Sequence, residues 1–146
     1  MTIRERDRAI AFVKFCSELQ VAGVRFGWGT WDCNTFVLAW IDRMAGTNYL
    51  GMYQGKYTDI ATARAFQEAH GFTLWGVCCE AGLVAVPGGA RFAQPGDVLL
   101  VCDPGEPWMR GHVCGGPSFA SIWPGRGLDV RPMMYMPATA ITMRYC

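Results

Sequence analysis

One cysteine and one histidine of this sequence have the local contexts of a nucleophile and its general base. Cys33 lies in TWDCNTFVLAW (residues 30–40), directly before an apolar run, and therefore in the first turn of a predicted helix. There, unpaired backbone N–H groups and the helix dipole favour an anion, which lowers the pKa of a thiol and activates it. His112, in RGHVCGG (residues 110–116), begins a predicted strand. A histidine on a strand that faces a helix N-terminus is the arrangement of a Cys/His catalytic pair.

Both residues also have a structural interpretation. Asp32, beside Cys33, opposes a thiolate unless its carboxylate turns back to cap the helix. His112 is, in this interpretation, a hydrogen-bonded histidine of the core or of a sheet edge. The second histidine, His70 in QEAHGF, is predicted to be a cation at a helix C-terminus. The residues alone leave the catalytic and the structural interpretation of Cys33 and His112 open.

Predicted helices in the first half of the chain position Cys33. Capping residues and hydrophobic periodicity predict four helices, over residues 3–20, 33–45, 59–70 and 74–81. A capping box of Thr2 and Glu5 precedes the first helix, Asp32 caps the second, and Thr58 caps the third. The segment 46–57 has no periodicity and is predicted to be an ordered loop.

Predicted strands in the second half of the chain position His112. Short β-like runs alternate with Pro/Gly turns from residue 84 onward. These runs are GDVLLVCD (96–103), GHVCGG (111–116), FASIW (119–123), LDVRP (128–132) and AITMRYC (140–146). The sequence therefore predicts one α+β domain over residues 1–146, with helices first and an antiparallel sheet after them.

The composition excludes several classes of protein. A hydrophobic fraction of 51% with only 17% charged residues predicts a packed core rather than disorder. The net charge of +1, without a basic stripe, gives no reason to expect nucleic-acid binding. No apolar run is long enough to span a membrane, and the N-terminus MTIRERDRAI lacks the apolar core of a signal peptide, so we expect folding in a cytoplasm.

Three sequence blocks together resemble a known family. FGWGTWDCNTFV (26–37), QPGDVLLV (94–101) and GHVCGG (111–116) are similar, in this order, to the signature blocks of the NlpC-type cell-wall cysteine peptidases, a papain-like superfamily. The closer resemblance is to small NlpC-like proteins encoded among phage tail genes, which share a G.Y segment like Gly55–Tyr57. The resemblance implies a papain-like NlpC-type α+β domain, with N-terminal helices packed on a C-terminal antiparallel sheet.

The resemblance also implies roles for individual residues. Cys33 matches the nucleophile, His112 matches the general base and acid, and Ser121 falls at the position of the third polar residue, which orients the imidazole. The family usually has His, Asn, Gln or Asp at that third position. Its Cys is commonly followed by Ser-Gly, where this chain has Asn34-Thr35, and Asp97 is expected to serve the start of a strand rather than catalysis.

Where the family has a tyrosine that helps the oxyanion site, this chain has Phe26 or Trp28. Neither side chain carries a hydroxyl group. The indole N–H of Trp28 and the backbone N–H of Cys33 are then the available donors.

The function that the resemblance implies is that of a phage tail-associated cysteine peptidase or amidase. It hydrolyses peptidoglycan stem peptides during cell entry, needs no cofactor, and acts in the virion tail after assembly in the bacterial host cytoplasm. Its expected partners are the peptidoglycan peptide and other phage tail proteins. The alternative is a catalytically silent tail-tip protein that uses the same fold for assembly, with WMRG (108–111) and RPMMYMP (131–137) as candidate contact segments.

A metal site is a further alternative. Seven cysteines are present without a CxxC pair. Five of them could converge to bind zinc or an iron–sulfur cluster: Cys78, Cys79, Cys102, Cys114 and Cys146. If they do not bind a metal, we expect most of the cysteines to be small buried hydrophobic residues.

Overall fold

Helices occupy the first half of the chain and strands the second, as the sequence predicts. The computed structural model describes residues 3–105 and 109–146, so that Thr2 of the predicted capping box and Trp108 of the segment WMRG lie outside the described residues. The helices are α1 (Ile3–Val21), α2 (Cys33–Ala45), α3 (Tyr49–Tyr53), α4 (Ile60–His70) and α5 (Leu74–Glu80). Over the described ranges, no helix is both long enough and apolar enough to cross a bilayer.

The strands form one antiparallel sheet in the order β1-β6-β2-β3-β4-β5. They are β1 (Leu83–Ala85), β2 (Val98–Cys102), β3 (Met109–Cys114), β4 (Ser118–Ile122), β5 (Leu128–Pro132) and β6 (Ile141–Tyr145). Short 3₁₀ helices at Gly89–Phe92 and Met133–Tyr135 connect some of them.

Strands β3 and β4 separate along their length. β3 pairs with β2 at all of its residues but Cys114, from Met109 opposite Cys102 to Val113 opposite Val98. It pairs with β4 only where Val113 and Cys114 oppose Ala120 and Phe119. Because the pairing stops there, the Gly111–His112 segment of β3 has a gap beside it instead of a continuous backbone ladder.

The two faces of the sheet bury different clusters. Helix α2 packs against one face, where its Phe36 and Trp40 side chains are inaccessible to solvent and Val98, Leu100 and Val113 belong to the same cluster. The alternate strand positions point to the opposite face and form a smaller cluster: Leu99, Val101, Cys114 and Phe119, with Met136. The sheet is therefore buried on both faces around its central strands.

The segment 46–57, predicted to be a loop, contains the short helix α3. The carboxylate of Asp42, on α2, accepts the backbone N–H groups of Tyr49 and Leu50 at 2.7 and 2.9 Å. Asp42 therefore satisfies the free donors at the start of α3 from a neighbouring helix. This contact depends on how the chain returns to α2, and no local pattern in the segment indicates it.

The third helix has a different cap from the predicted one. Asp59, not Thr58, is its N-cap: the Asp59 carboxylate accepts Thr62 N–H at 2.8 Å, and the Thr62 hydroxyl accepts Asp59 N–H at 3.1 Å. Thr58 lies one residue too early for this reciprocal arrangement. The end of the helix at His70 agrees with the sequence prediction, and the His70 ring nitrogen Nδ1 lies 3.0 Å from the Phe66 carbonyl oxygen.

Candidate active site

Cys33 is the first residue of α2, as predicted, and Asp32 is its N-cap. One Asp32 carboxylate oxygen accepts the backbone N–H groups of Asn34 and Thr35, both at 2.9 Å. The Thr35 hydroxyl accepts the backbone N–H of Asp32 at 2.8 Å. Thr35, at one of the two positions where the resembled family commonly has Ser-Gly, therefore has a structural role, because it completes a capping box that fixes the first turn of α2.

The second carboxylate oxygen of Asp32 joins two loops to this turn. It accepts the backbone N–H of Gly29 at 3.0 Å and the hydroxyl of Tyr57 at 2.7 Å. Gly29 has φ +78, and a Cβ at this position would overlap the Tyr57 carbonyl oxygen, so only glycine allows this approach. Burial, followed by the charge of Asp32 and its hydrogen bond, raises the pKa of the Tyr57 hydroxyl.

The thiol of Cys33 lies against the backbone of β3, immediately before His112. The backbone N–H of Gly111 is close enough to the Cys33 sulfur to act on the thiol, whose pKa it lowers. A Cβ on Gly111 would lie 2.6 Å from Val37 Cγ2 and 3.3 Å from the Cys33 carbonyl oxygen, so glycine is what lets α2 approach the strand. This contact brings the Asp-Cys block and the Gly-His block of the sequence together.

The pKa of the Cys33 thiol is raised, in contrast to the expectation from its helix position. Burial raises this pKa to about 11, and the charge of Asp32 adds to the rise. The backbone N–H groups of Gly111 and Cys33 and the guanidinium of Arg110 act in the opposite direction and do not offset burial. Cys33 is therefore a neutral thiol near pH 7, and the prediction of a lowered pKa was wrong because it considered the helix terminus without the burial.

His112 lies in β3 with only 3% of its surface exposed. Its register partner Leu99 belongs to the cluster on the sheet face away from α2, and the rings of Phe119 and Trp123 each lie 5.4 Å from the imidazole. Gly111, the preceding residue, faces α2, so strand alternation turns His112 to the other face.

The imidazole is neutral, and one of its nitrogens has no hydrogen-bond partner among the described residues. Burial lowers the pKa of His112 to about 4, the charges of Arg110 and Arg131 lower it further, and Asp103 opposes them. The ring nitrogen Nδ1 is buried and has no hydrogen-bond partner. Buried polar atoms are nearly always paired, so the unpaired Nδ1 is an exception that needs an explanation.

One cavity of about 230 Å³ is lined by both Cys33 and His112. The gap between β3 and β4 explains how residues from opposite faces of the sheet reach the same space. The cavity has mainly apolar walls, which include Phe26, Trp28, Tyr57, Ile60, Met109 and Trp123. The side chain of Asn34, whose Oδ1 accepts the Cys33 thiol at 3.6 Å, is a polar group beside the sulfur, and the indole of Trp28 lines the same cavity.

Ser121 lies near His112, but its hydroxyl binds elsewhere. The β3–β4 register, continued by one residue, places the buried Ser121 opposite His112. Its Oγ donates to the Gly111 carbonyl oxygen at 2.8 Å. Ser121 thus spans the gap where the backbone ladder is missing, while Nδ1 of His112 stays without a partner.

Asp97 has the role at the start of a strand that the sequence predicts. It directly precedes β2, is fully buried, and accepts the backbone N–H of Gln94 at 2.8 Å. Arg144 of β6 pairs with the same carboxylate at 2.8 Å. Asp97 therefore connects two neighbouring strands and does not line the cavity that contains Cys33.

Three residues of this site have no role in the sequence-based interpretation. Tyr57 was recognised only as part of a glycine–tyrosine segment, and its hydroxyl bond to Asp32 was not predicted. Arg110 and Trp123 flank the predicted His112 and Ser121 blocks and line the same cavity as Cys33. The only signal in the sequence for Arg110 and Trp123 as site residues was their position close to His112 and Ser121.

The seven cysteines are all free thiols and are distributed over the fold. Cys78 and Cys114 are buried, whereas Cys79, Cys102 and Cys146 are exposed. Within residues 3–105 and 109–146, no group of three or more His, Cys, Asp or Glu side chains could hold a metal ion.

Comparison with known proteins identifies one related family. Residues 7–140 match the family described as "Domain of unknown function (DUF6950)", and the match covers most of the chain. No curated protein and no solved structure shows significant similarity to the chain.

Proposed function

We propose that this chain, which belongs to the DUF6950 family, is a phage tail-associated cysteine peptidase of the NlpC type that cleaves an amide bond in peptidoglycan stem peptides. The observation that carries the proposal is the meeting of Cys33 and the Gly111–His112 segment at one cavity. The helices in the first half and the antiparallel sheet in the second are compatible with the papain-like class. The virion tail as its location and other tail proteins as partners belong to the same proposal and derive from the sequence resemblance.

The proposed reaction begins from a neutral pair. Cys33 sulfur attacks the amide carbonyl carbon while its proton passes to His112, and a tetrahedral intermediate forms. The backbone N–H of Cys33 and the indole N–H of Trp28 are the donors available to the oxyanion. The C–N bond then breaks, and the His112 imidazolium gives its proton to the leaving amine.

The second half of the reaction releases the acyl product. Water attacks the thioester on Cys33 while His112 accepts a proton from it. The C–S bond breaks, the thiol recovers a proton, and the carboxylic acid leaves. Because the pKa of the thiol is about 11 and that of the imidazole about 4, transfer between them is unfavourable at rest. We therefore expect substrate binding to be part of the activation.

A digestion assay tests the proposal. Purified protein is incubated with bacterial peptidoglycan, and the released peptides and new amino groups are identified by mass spectrometry. Cys33→Ala and His112→Ala are each expected to reduce release by at least roughly a thousandfold, because nucleophile and base act as a unit. Cys102→Ala removes an exposed thiol on β2 and is expected to leave release unchanged. Equal release from Cys33→Ala and the parent protein would contradict the proposal.

A second candidate function is assembly without catalysis. The neutral thiol, the unpartnered Nδ1 of His112 and the use of Ser121 on a backbone carbonyl all favour a silent site. Met134 and Tyr135, in the predicted contact segment 131–137, are 81% and 68% exposed. Loss of tail incorporation in a Met134→Ser/Tyr135→Ser variant, with no peptidoglycan release by the parent protein, would favour this alternative.

A further inference from the structure

A second, smaller cavity lies on the side of His112 away from α2. Its volume is about 100 Å³, roughly the share of three water molecules in the liquid. His112, Arg110, Arg131 and Tyr135 supply its polar lining, and Phe119 and Trp123 supply part of its apolar wall. We call this space the outer cavity. It is lined by His112 but not by Cys33, so it is separate from the space in which the proposed reaction takes place.

The charged groups that line the outer cavity are all basic. Arg131 is held with its guanidinium carbon 4.8 Å from the centre of the Trp123 ring. Both arginines lower the pKa of His112 through their charge, which shows that both act on the imidazole. This convergence of positive charge favours the binding of an anion.

Each arginine has a carboxylate partner outside the outer cavity. Asp103 accepts Nε and Nη2 of Arg110 at 2.6 and 3.0 Å, and Asp129 accepts Nε of Arg131 at 3.3 Å. Neither aspartate lines the outer cavity. These pairs leave guanidinium N–H groups of both arginines that a ligand can bind, because an arginine has five donors.

The unpartnered nitrogen of His112 is a second observation, independent of the two arginines, that supports a ligand near this residue. The side chain is 3% exposed, and its Nδ1 atom has no hydrogen-bond partner, although such an atom is costly when it is buried and unpaired. The sequence suggested Ser121 as the residue that orients the imidazole, but its hydroxyl donates to the Gly111 carbonyl oxygen instead. His112 lines the outer cavity, so a ligand bound there would lie beside the imidazole that carries this unpaired atom.

We propose that the outer cavity is a binding site for a small oxyanion, a carboxylate or a phosphate, held by Arg110, Arg131, Tyr135 and the imidazole of His112. Two guanidinium groups and a phenol provide the donors that planar or tetrahedral oxyanions take. The volume of about 100 Å³ accommodates one such group.

Occupation of this site has a consequence for His112. A bound anion offsets the charges of Arg110 and Arg131, so the imidazolium becomes easier to form and the pKa of His112 rises. A stronger base in the cavity that His112 shares with Cys33 would assist the proposed hydrolase. The anion site itself does not depend on that function, because it can be measured in a Cys33→Ala variant.

Histidine NMR tests the proposal directly. The chain has two histidines, so His70, exposed at the end of α4, is an internal reference for His112. Sodium phosphate, sodium acetate and sodium chloride are titrated separately at constant pH and ionic strength. We expect the ring signals of His112 to move along a saturable curve with phosphate, acetate or both, while those of His70 follow the chloride titration.

Matched variants locate the binding. Arg131→Gln removes a hydrogen-bond donor that lines the outer cavity. Arg126→Gln is the control: Arg126 is exposed and also pairs with Asp129, but it does not line the outer cavity. We expect roughly a tenfold rise in the midpoint for Arg131→Gln, the usual effect of one charge-assisted hydrogen bond, and none for Arg126→Gln. Tyr135→Phe retains both guanidiniums and should raise the midpoint by about threefold.

The titrations also separate the two sources of the anion. Saturation by phosphate alone assigns the site to phosphate, whereas saturation by acetate assigns it to a carboxylate such as that of a peptide. A His112 response that is linear in salt and equal for chloride would overturn the proposal. Equal midpoints for Arg131→Gln and Arg126→Gln, with well-dispersed amide spectra for both, would also overturn it.

Discussion

Asp32 and His112, two of the polar residues buried at this site, differ in how their side chains are held. The Asp32 carboxylate has both oxygens occupied, by three backbone N–H groups and the Tyr57 hydroxyl, at 2.7 to 3.0 Å. The His112 imidazole, 3% exposed, packs against aromatic rings and leaves Nδ1 without a partner. The side of the proposed nucleophile is therefore fixed by hydrogen bonds, whereas the side of the proposed base is fixed mainly by packing against aromatic rings.

This difference indicates which part of the site is complete. Satisfied hydrogen bonds around Asp32 hold the Cys33 backbone in one position, as a reaction geometry requires. On the other side, an aromatic environment with positive charges keeps His112 neutral and in need of a polar partner. We infer that a ligand completes the base side, and the following predictions test the contrast between the two sides.

The largest expected effect comes from removing the Asp32 carboxylate. Asp32→Ala leaves the buried donors of Gly29, Thr35 and Tyr57 unpaired, so we expect the free energy of unfolding to fall by about 4 kcal/mol. Urea denaturation measures the loss. Asp59→Ala removes the corresponding capping box from α4, where the carboxylate is exposed, and should cost much less. Equal losses in the two variants would show that Asp32 is only an ordinary helix cap.

Acid destabilisation tests the His112 side. The pKa of His112 is about 4 in the folded protein and 6.5 as its ordinary value, so the unfolded chain binds more protons between these pH values. The free energy of unfolding should therefore fall as the pH is lowered from 6.5 to 4, by about 3 kcal/mol for this residue. The difference between the parent protein and His112→Gln isolates the contribution. A difference that does not change with pH would contradict a buried, neutral imidazole.

Gly111→Ala tests the contact that joins the two sides. The added methyl would lie 2.6 Å from Val37 Cγ2 and 3.0 Å from Leu74 Cδ1, so α2 must move away from β3. We expect a loss of about 2 kcal/mol in the free energy of unfolding, together with reduced peptidoglycan release. Gly115→Ala is the control, because the nearest atom to its added methyl is Ser118 Oγ at 3.3 Å. Unchanged stability and release in Gly111→Ala would show that the close approach is not needed.

The smallest effect is expected for the Tyr57 hydroxyl. Tyr57→Phe keeps the ring and removes one hydrogen bond of 2.7 Å to Asp32, so the free energy of unfolding should fall by about 1 kcal/mol. Tyr135→Phe, at a ring that is 68% exposed, should have no measurable effect on stability. If Tyr57→Phe is as stable as the parent protein, Asp32 does not need its fourth donor.

Local patterns were sufficient to predict much of the fold. The Asp32 cap, the apolar run after Cys33 and Gly46, with φ 71 at the C-cap, define α2 without any distant contact. The runs from β2 to β6 agree with the predicted strands because apolar residues between Pro/Gly turns mark buried strands. The short strand β1 was missed because three residues, two of them exposed, give no periodic signal.

The parts of the site that were missed depend on distant contacts. The Tyr57 hydroxyl contacts Asp32 although the two residues are 25 positions apart in the sequence. No local sequence pattern predicts the path of the chain between them. The face of His112 was also not predictable, because every residue from Gly111 to Cys114 is buried and the alternation has no polar side. Burial of Cys33 also reverses the expected direction of its pKa shift, because it raises the pKa instead of lowering it.

The most direct test of the central claim, that Cys33 is the nucleophile of a Cys33–His112 pair, is to trap the acyl-enzyme. The protein is mixed with peptidoglycan stem peptides, quenched in acid and digested with pepsin, and the Cys33-containing peptides are examined by mass spectrometry. We predict a mass increase on Cys33 equal to the acyl part of the substrate, removed by hydroxylamine as a thioester requires and absent in His112→Ala. Release of cleaved peptide without any adduct on Cys33, and at the same rate in Cys33→Ala, would contradict the account.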